Sequence, residues 1–305
     1  MKLNYKRTIL IGLAFMSISA FWQMYDSIIP LILKNSFGIG ETLIGTIMAA
    51  DNVLALFLLP IFGTLSDKVD TPIGKRMPFI LTGTTVACIL LFLLPTADNS
   101  RNLPMFVISL FLVLVAMGLY RSPAVALMPD VTVKPLRSKA NAIINLMGTA
   151  GGIIVLVLGI VFATSAVRNQ LMSYNVYYGV IAGLMIVSLA ICLLTVREVR
   201  WSEQMRADSI KYGIQEQDED TGEEKRKLSR KEKVSLILIL ASIALWYFGY
   251  NAVTSKYAVY AGNILNMDYN TTLLLAQAAA IIAYLPAGMV ASKIGRKKTI
   301  LAGVV

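Results

Sequence analysis

The chain has 305 residues, is 56% apolar and 15% charged, and carries a formal net charge of +10. A soluble domain is nearer half apolar and a quarter charged, so the surplus apolar surface, with a mean hydropathy of +0.67, calls for a lipid solvent. There is no histidine, which excludes a histidine proton relay or metal cluster and leaves carboxylates as the acid–base groups near neutral pH.

The apolar residues come in blocks of about twenty, long enough to cross a hydrocarbon core roughly 30 Å thick. Spans are predicted at 8–33, 42–65, 78–96, 104–128, 140–163, 176–196, 234–260 and 271–291. A ninth begins near Thr299 and reaches Val305 after about seven residues, where a span needs about 17–25. The sequence is therefore expected to be a fragment ending inside a helix, and not to transport by itself. The apolar run after Met1–Arg7 is too long for a cleavable signal peptide and no small-residue cleavage site follows. Cys88 and Cys192 lie inside apolar blocks and read as buried thiols, not as a disulfide or metal site.

Lys and Arg set the orientation. With the N-terminus in the cytoplasm, segments 1–7, 66–77, 129–139, 197–233 and 292–298 hold 23 of the 28 basic residues. The opposite side holds Lys34, Arg101 and Arg168, and Arg121 and Lys256 lie within spans. That asymmetry is the positive-inside pattern, and it explains the net charge without a nucleic-acid partner. Segment 197–233 is mixed in charge and poor in apolar residues, so a solvated linker, in part helical, is expected there. The reading is an all-α membrane protein with a six-helix bundle over 1–196, a cytoplasmic linker over 197–233 and a partial second bundle over 234–305.

An internal repeat supports two halves. After span two comes Gly63-Thr-Leu-Ser-Asp67-Lys68, then Gly74-Lys75-Arg76; after span eight comes Gly288-Met-Val-Ala-Ser292-Lys293, then Gly295-Arg296-Lys297-Lys298. These loops resemble the cytoplasmic loop motif of the major facilitator superfamily. The longer first copy, with Asp70-Thr-Pro-Ile73 inserted before Gly74, is similar to that of the glycoside–pentoside–hexuronide cation symporters and the related sucrose transporters. Three further segments agree: Trp22 to Pro30, Arg121 to Thr132 and Lys139 to Asn145. The resemblance implies a 6 + 6 helix fold, truncated here after eight helices and the start of the ninth. It also implies a sugar substrate, a coupling cation, and a bracing role at the inner gate for the repeated loop. Melibiose-type symporters carry two aspartates where this chain has Ala55 and Leu59. Sucrose transporters carry an arginine where it has Val125, but Asp130 matches the aspartate that follows. The lack of histidine and of the paired span-two aspartates tilts the coupling ion towards a proton over sodium.

Charged groups within spans default to function. Trp22, Tyr25, Asp26 and Ile29 share one helical face. An aromatic ring covers the C–H face of a sugar while a carboxylate accepts from its hydroxyls. Span seven offers Trp246, Tyr247, Tyr250, Asn251 and Thr254; span five offers Asn141 and Asn145, followed by Gly148, Gly151 and Gly152 for close helix packing. The rings also suit interface anchoring or helix packing, and Arg121 suits a structural ion pair as well as a substrate contact. Lys256, near the outer end of span seven, is expected to snorkel. Asp26, Asp51 and Asp130 are the candidates for proton coupling. The function expected is secondary active transport of a sugar by a monomer in the cell membrane, without metal or organic cofactor. Transport or export of another small solute, and a non-transporting membrane receptor or scaffold with the same fold, are the alternatives. An enzyme is not expected, since no nucleotide-binding Gly-rich loop, metal-ligand cluster or nucleophile–histidine pair is present.

Overall fold

The computed structural model describes residues 3–164, 173–214 and 229–304, without the side chains of 284–293, 296, 297 and 304. Among the described residues the chain is helical, with no strand. The helices are α1 (Tyr5–Asn35), α2 (Glu41–Lys68), α3 (Met77–Leu91), α4 (Leu93–Asn99), α5 (Leu103–Asp130), α6 (Arg137–Val161), α7 (Asn175–Thr195), α8 (Glu198–Lys211), α9 (Arg230–Asn263), α10 (Tyr269–Ile294) and α11 (Arg296–Val304). Starts are marked by side chains that accept from free backbone N–H groups. Asn4 Oδ1 accepts from the Arg7 amide at 3.2 Å and Asn102 Oδ1 from that of Met105 at 3.0 Å. Ser229 and Glu232 form a reciprocal capping box at the head of α9.

Among the described residues, seven segments are long and apolar enough to cross a membrane: α1, α2, α3 with α4, α5, Lys134–Val161, α7 and α9. The eighth predicted span falls on α10, whose apolar part within the described side chains is Tyr269–Ala283. The chain is a multi-pass membrane protein. Val53, Leu56, Phe57 and Ile61 of α2 are exposed, a face that only a lipid solvent makes inexpensive. The third span is not one helix as expected: it breaks at Phe92. Pro95 has no N–H to give to the carbonyl one turn back, so the hydrogen-bond ladder is interrupted there.

Successive membrane-crossing segments alternate in direction. One end of the bundle carries 69–76, 131–136 and α8; it is called here the basic end. The other carries 36–40, 100–102 and 264–268. Helix α1 runs through the middle, with Phe21, Met24, Tyr25, Ile28 and Ile29 essentially inaccessible. Its partner α6 meets it through glycine. A β-carbon on Gly151 would lie 2.1 Å from the Met16 carbonyl oxygen, and one on Gly148 2.8 Å from Ser19 Oγ. Helices α3 and α5 approach in the same way: a β-carbon on Gly83 would lie 2.8 Å from the Tyr120 backbone nitrogen. In lipid such contacts replace the hydrophobic drive between helices with van der Waals packing. Cys88 and Cys192 are free and buried.

Segment 197–214 is more ordered than a solvated linker. Helix α8 docks on the basic end with Glu198, Trp201, Met205 and Ser209 buried, and the Arg7 guanidinium lies 5.1 Å above the Trp201 ring. Residues 215–228 of that segment, and Arg168, lie outside the described residues.

The glycine contacts yield a test. Gly151→Ala forces a backbone shift and is expected to destabilise the protein by about 1–3 kcal/mol. Gly183→Ala meets nothing within 4 Å and is expected to be neutral. Thermal unfolding of the two variants in the same detergent checks the difference.

Candidate functional site

Halfway along α1 the predicted aromatic face forms a cluster. Trp22 and Tyr25 meet edge to face with centroids 5.3 Å apart, and Phe21 stacks on Tyr25 at 6.1 Å. The Tyr25 hydroxyl donates to the Met48 carbonyl of α2 at 3.3 Å, so this ring is pinned between two helices. Trp22 keeps one face for Arg121 of α5, whose guanidinium carbon sits 5.5 Å from the ring centroid.

Three charged groups converge beside these rings. Asp51 of α2 lies within electrostatic reach of Asp26, Tyr25 and Arg121. Two carboxylates and one guanidinium are thus grouped in the apolar layer, where an isolated charge is costly and a compensated group is tolerated. Asn52 Nδ2 donates to Asp51 Oδ1 at 2.7 Å, and Asn251 Nδ2 of α9 donates to Asn52 Oδ1 at 3.4 Å. Also on α9, Trp246 stacks on Tyr250 with centroids 5.5 Å apart and planes 12° off parallel, and Tyr247 lies near Arg121. A second link joins α10 to α1: Gln277 Nε2 donates to Gln23 Oε1 at 2.9 Å.

The groove between the first six helices and α9–α10 is closed at one end. Glu41 of α2 accepts from Lys34 at 3.0 Å and from Lys256 of α9 at 2.8 Å. Lys256 therefore holds a partner across the groove and does not simply snorkel. Tyr269 and Asn270 of α10 are buried against the end of α6; the hydroxyls of Tyr269 and Thr164 lie 2.7 Å apart, and Asn270 Nδ2 donates to Thr164 Oγ1 at 3.1 Å. Towards the basic end the contact is lost: residues 230–250 of α9 are exposed, whereas Ala258, Val259 and Ala261 are buried.

The repeated loop builds a separate cluster at the basic end. Arg76 is buried and binds Asp67 and Ser66 of α2, with its Nε on Asp130 Oδ2 of α5 at 2.7 Å and its Nη1 on the Gly63 carbonyl at 3.4 Å. Burial works against its charge, but the hydrogen bond and charge of Asp130, then those of Asp67, outweigh it and raise the guanidinium pKa. Glu198 of α8 caps α3: its carboxylate accepts from the backbone amides of Lys75 at 2.7 Å, Arg76 at 3.0 Å and Met77 at 3.0 Å. Helix starts favour such an anion. Gly74 makes room for it. Its φ is +117°, and a β-carbon there would lie 2.2 Å from Glu198 Oε2. Around these residues is a charged cleft of about 970 Å³, lined by Asp67, Lys75, Arg76, Asp130, Arg137 and Glu198 among others.

The structure therefore brings together Trp22, Tyr25, Asp26, Asp51 and Arg121, and sets Trp246, Tyr250 and Asn251 opposite them. It separates Asp130 from that group. Grouped with Asp26 and Asp51 from the sequence, Asp130 is instead held at the basic end by Arg76. Asn141 and Asn145 are exposed on α6, and among the described residues no hydrogen bond or ion pair joins their side chains to the cluster. The second loop copy has Gly295 at φ +95° between α10 and α11; the side chain of Arg296 and the surroundings of Gly288 lie outside the described residues. Gln23, Asn52, Glu198 and Gln277 escaped the sequence reading. For Glu198 the only signal was its place at the first turn of a short amphipathic stretch.

Comparison with known proteins follows the same lines. Residues 11–305 match the family model described as Major Facilitator Superfamily. Among solved structures the chain is similar to a D-xylose-proton symporter, with a TM-score of 0.65 and 15% identity over 95% of this chain and 70% of that one. At that identity the likeness concerns the fold. No curated protein matches the chain.

The loop cluster generates the second test. Glu198→Ala removes three charge-assisted contacts to the start of α3 and is expected to cost about 1.5–3 kcal/mol. Limited trypsin digestion should then cut faster at Arg200 and Arg206; an unchanged rate would show that α8 is held by its apolar face alone.

Proposed function

The chain belongs to the Major Facilitator Superfamily, and from that membership we propose that it carries a sugar or glycoside across the membrane by alternating access, coupled to a proton. As a member of that superfamily it is a transporter and not an enzyme. Residues 1–196 are read as one six-helix half, 197–233 as the connection, and 234–305 as part of the second half. Rocking of one half against the other around a midplane site is the motion such repeats support. The placement is the cell membrane with the N-terminus inside, on the strength of the 23 basic residues that the sequence puts in the segments assigned to that side; the unit is a monomer.

The observation that carries the reading is the meeting of Trp22, Tyr25 and Asp26 with Asp51 and Arg121, opposite the stacked Trp246 and Tyr250. Rings from both halves offer faces to sugar C–H groups, and carboxylate, guanidinium and amide groups offer partners to hydroxyls. The fold is shared with a D-xylose-proton symporter, a protein of the class proposed here.

Proton coupling follows from the grouped charges. A carboxyl that passes between a wet and a dry surrounding binds and releases a proton, and a ligand that prefers the protonated state is linked to it. Asp26 and Asp51 are assigned this role, and Arg121 serves as their counter-charge and as a substrate contact. Asn141 and Asn145 are kept as candidate substrate contacts, and the loop around Gly63, Asp67, Gly74, Lys75 and Arg76 braces the inner gate, with Asp130 as part of the brace. Sodium is the second candidate ion, disfavoured by Ala55 and Leu59.

Uptake of a panel of labelled mono- and disaccharides by cells expressing the full-length gene, with and without an uncoupler, tests the proposal. At least one sugar should accumulate, and the uncoupler should abolish the accumulation; no uptake of any sugar would sink the reading. In the same cells Asp26→Asn and Asp51→Asn are expected to lose uphill accumulation while retaining sugar exchange.

A further inference from the structure

Two polar atoms in the groove are buried without a hydrogen-bond partner among the described residues: the Gln277 amide oxygen and the Trp22 indole nitrogen. Buried polar groups in native structures are almost always paired, and an unpaired one is a cost that calls for an explanation. Gln277 of α10 spends its Nε2 on Gln23 Oε1 of α1 at 2.9 Å, and Gln23 spends its own Nε2 on Ser27 Oγ at 3.2 Å. This relay fixes both amides and leaves Gln277 Oε1 as the spare acceptor.

Gly152 of α6, having no side chain, leaves space beside that atom. A β-carbon on Gly152 of α6 would lie 3.3 Å from both Oε1 and Nε2 of Gln277 and 3.5 Å from Gln23 Oε1. A larger residue at 152 would press on the amide pair. Gln23 directly follows Trp22, whose indole N–H is the unpaired donor, and Ser27 directly follows Asp26 of the cluster described above.

We infer that Gln277 is a ligand-binding residue that takes a sugar hydroxyl on its free amide oxygen while holding Gln23 across the groove. A hydroxyl suits this atom in either amide orientation, because it donates as well as accepts. An apolar solute offers nothing to the amide or to the Trp22 N–H. Since the Gln23–Gln277 bond joins α1 to α10, a ligand seated on it favours the arrangement in which the two helices are together. That differential affinity is what a bound solute needs in order to shift the transport cycle. The inference deepens the sugar reading and rests on it.

Two arms test it in the full-length protein. In the first, cysteines replace Gln23 and Gln277, with Cys88 and Cys192 changed to alanine, and membranes are treated with a short bifunctional thiol reagent. Cross-linking between positions 23 and 277 is expected, and its absence would overturn the inference whatever the substrate is. In the second, transport kinetics of the sugar found by the uptake panel are compared for the wild type and Gln277→Met. KM should rise about tenfold, the loss of roughly one well-formed hydrogen bond, with the maximal rate changed less than about threefold. Across a series of deoxy-sugars, the one that weakens the wild type should weaken Gln277→Met no further, the non-additivity that marks direct contact. A KM within about twofold of the wild type, or additive effects at every position, would overturn the inference and leave the sugar reading standing. If the cross-link forms but the wild type takes up no sugar, the sugar reading fails and this inference falls with it.

Discussion

A charged side chain inside an apolar helix costs roughly 2.5–3.5 kcal/mol at the bilayer centre, and this constraint shapes the middle of the molecule. Asp26, Asp51 and Arg121 come from three helices; the guanidinium offsets the charge of Asp51, while the two carboxylates oppose one another. Their grouping dictates much of what surrounds them. Trp22 lends its ring to the guanidinium, Asn52 donates to Asp51, and Asn251 reaches Asn52 from α9. The glycine-lined contact of α1 with α6 is the structural counterpart, because it sets the depth and rotation at which α1 presents Trp22, Gln23 and Asp26.

The two ends of the bundle use different physics. At one end, the cross-groove contacts include the Glu41–Lys256 ion pair and the buried Thr164, Tyr269 and Asn270 hydroxyl and amide group. Such contacts can be exchanged as a unit, since each replaces one set of partners with another. At the basic end the charged residues are bound within the first six helices and α8. Arg76 ties α2 to α5 and Glu198 ties α8 to α3. A loop held in this way moves with its own half, as a rigid-body rocking mechanism requires.

Much of the architecture was readable because the bilayer imposes a length and a composition on every span. The helix positions, the buried cysteines and the Trp22–Tyr25–Asp26 face followed from that and from helical period. The break at Phe92 did not, because Pro95 sits inside an unbroken apolar run and hydropathy is blind to a missing N–H. The docking of Glu198 was hidden by separation: it bonds an amide 123 residues away. Asp130 was placed with the coupling carboxylates because a family resemblance transfers residues without their partners, and Arg76 is the partner that relocates it. Gln277 was passed over because a lone amide in an apolar helix has no period to reveal it; only its bond to Gln23 and its unpaired oxygen single it out.

What unites these features is a polar, charge-compensated groove open towards the basic end and closed at the other, with a proton and a sugar proposed to share it. The most direct measurement is the pH of a lightly buffered, de-energised suspension of cells making the full-length protein, recorded as the transported sugar is added. Coupled entry predicts an immediate alkalinisation of the medium that scales with sugar uptake and is absent in the Asp26→Asn, Asp51→Asn double variant. Sugar entry with no pH change, or an equal change in the double variant, would contradict the account.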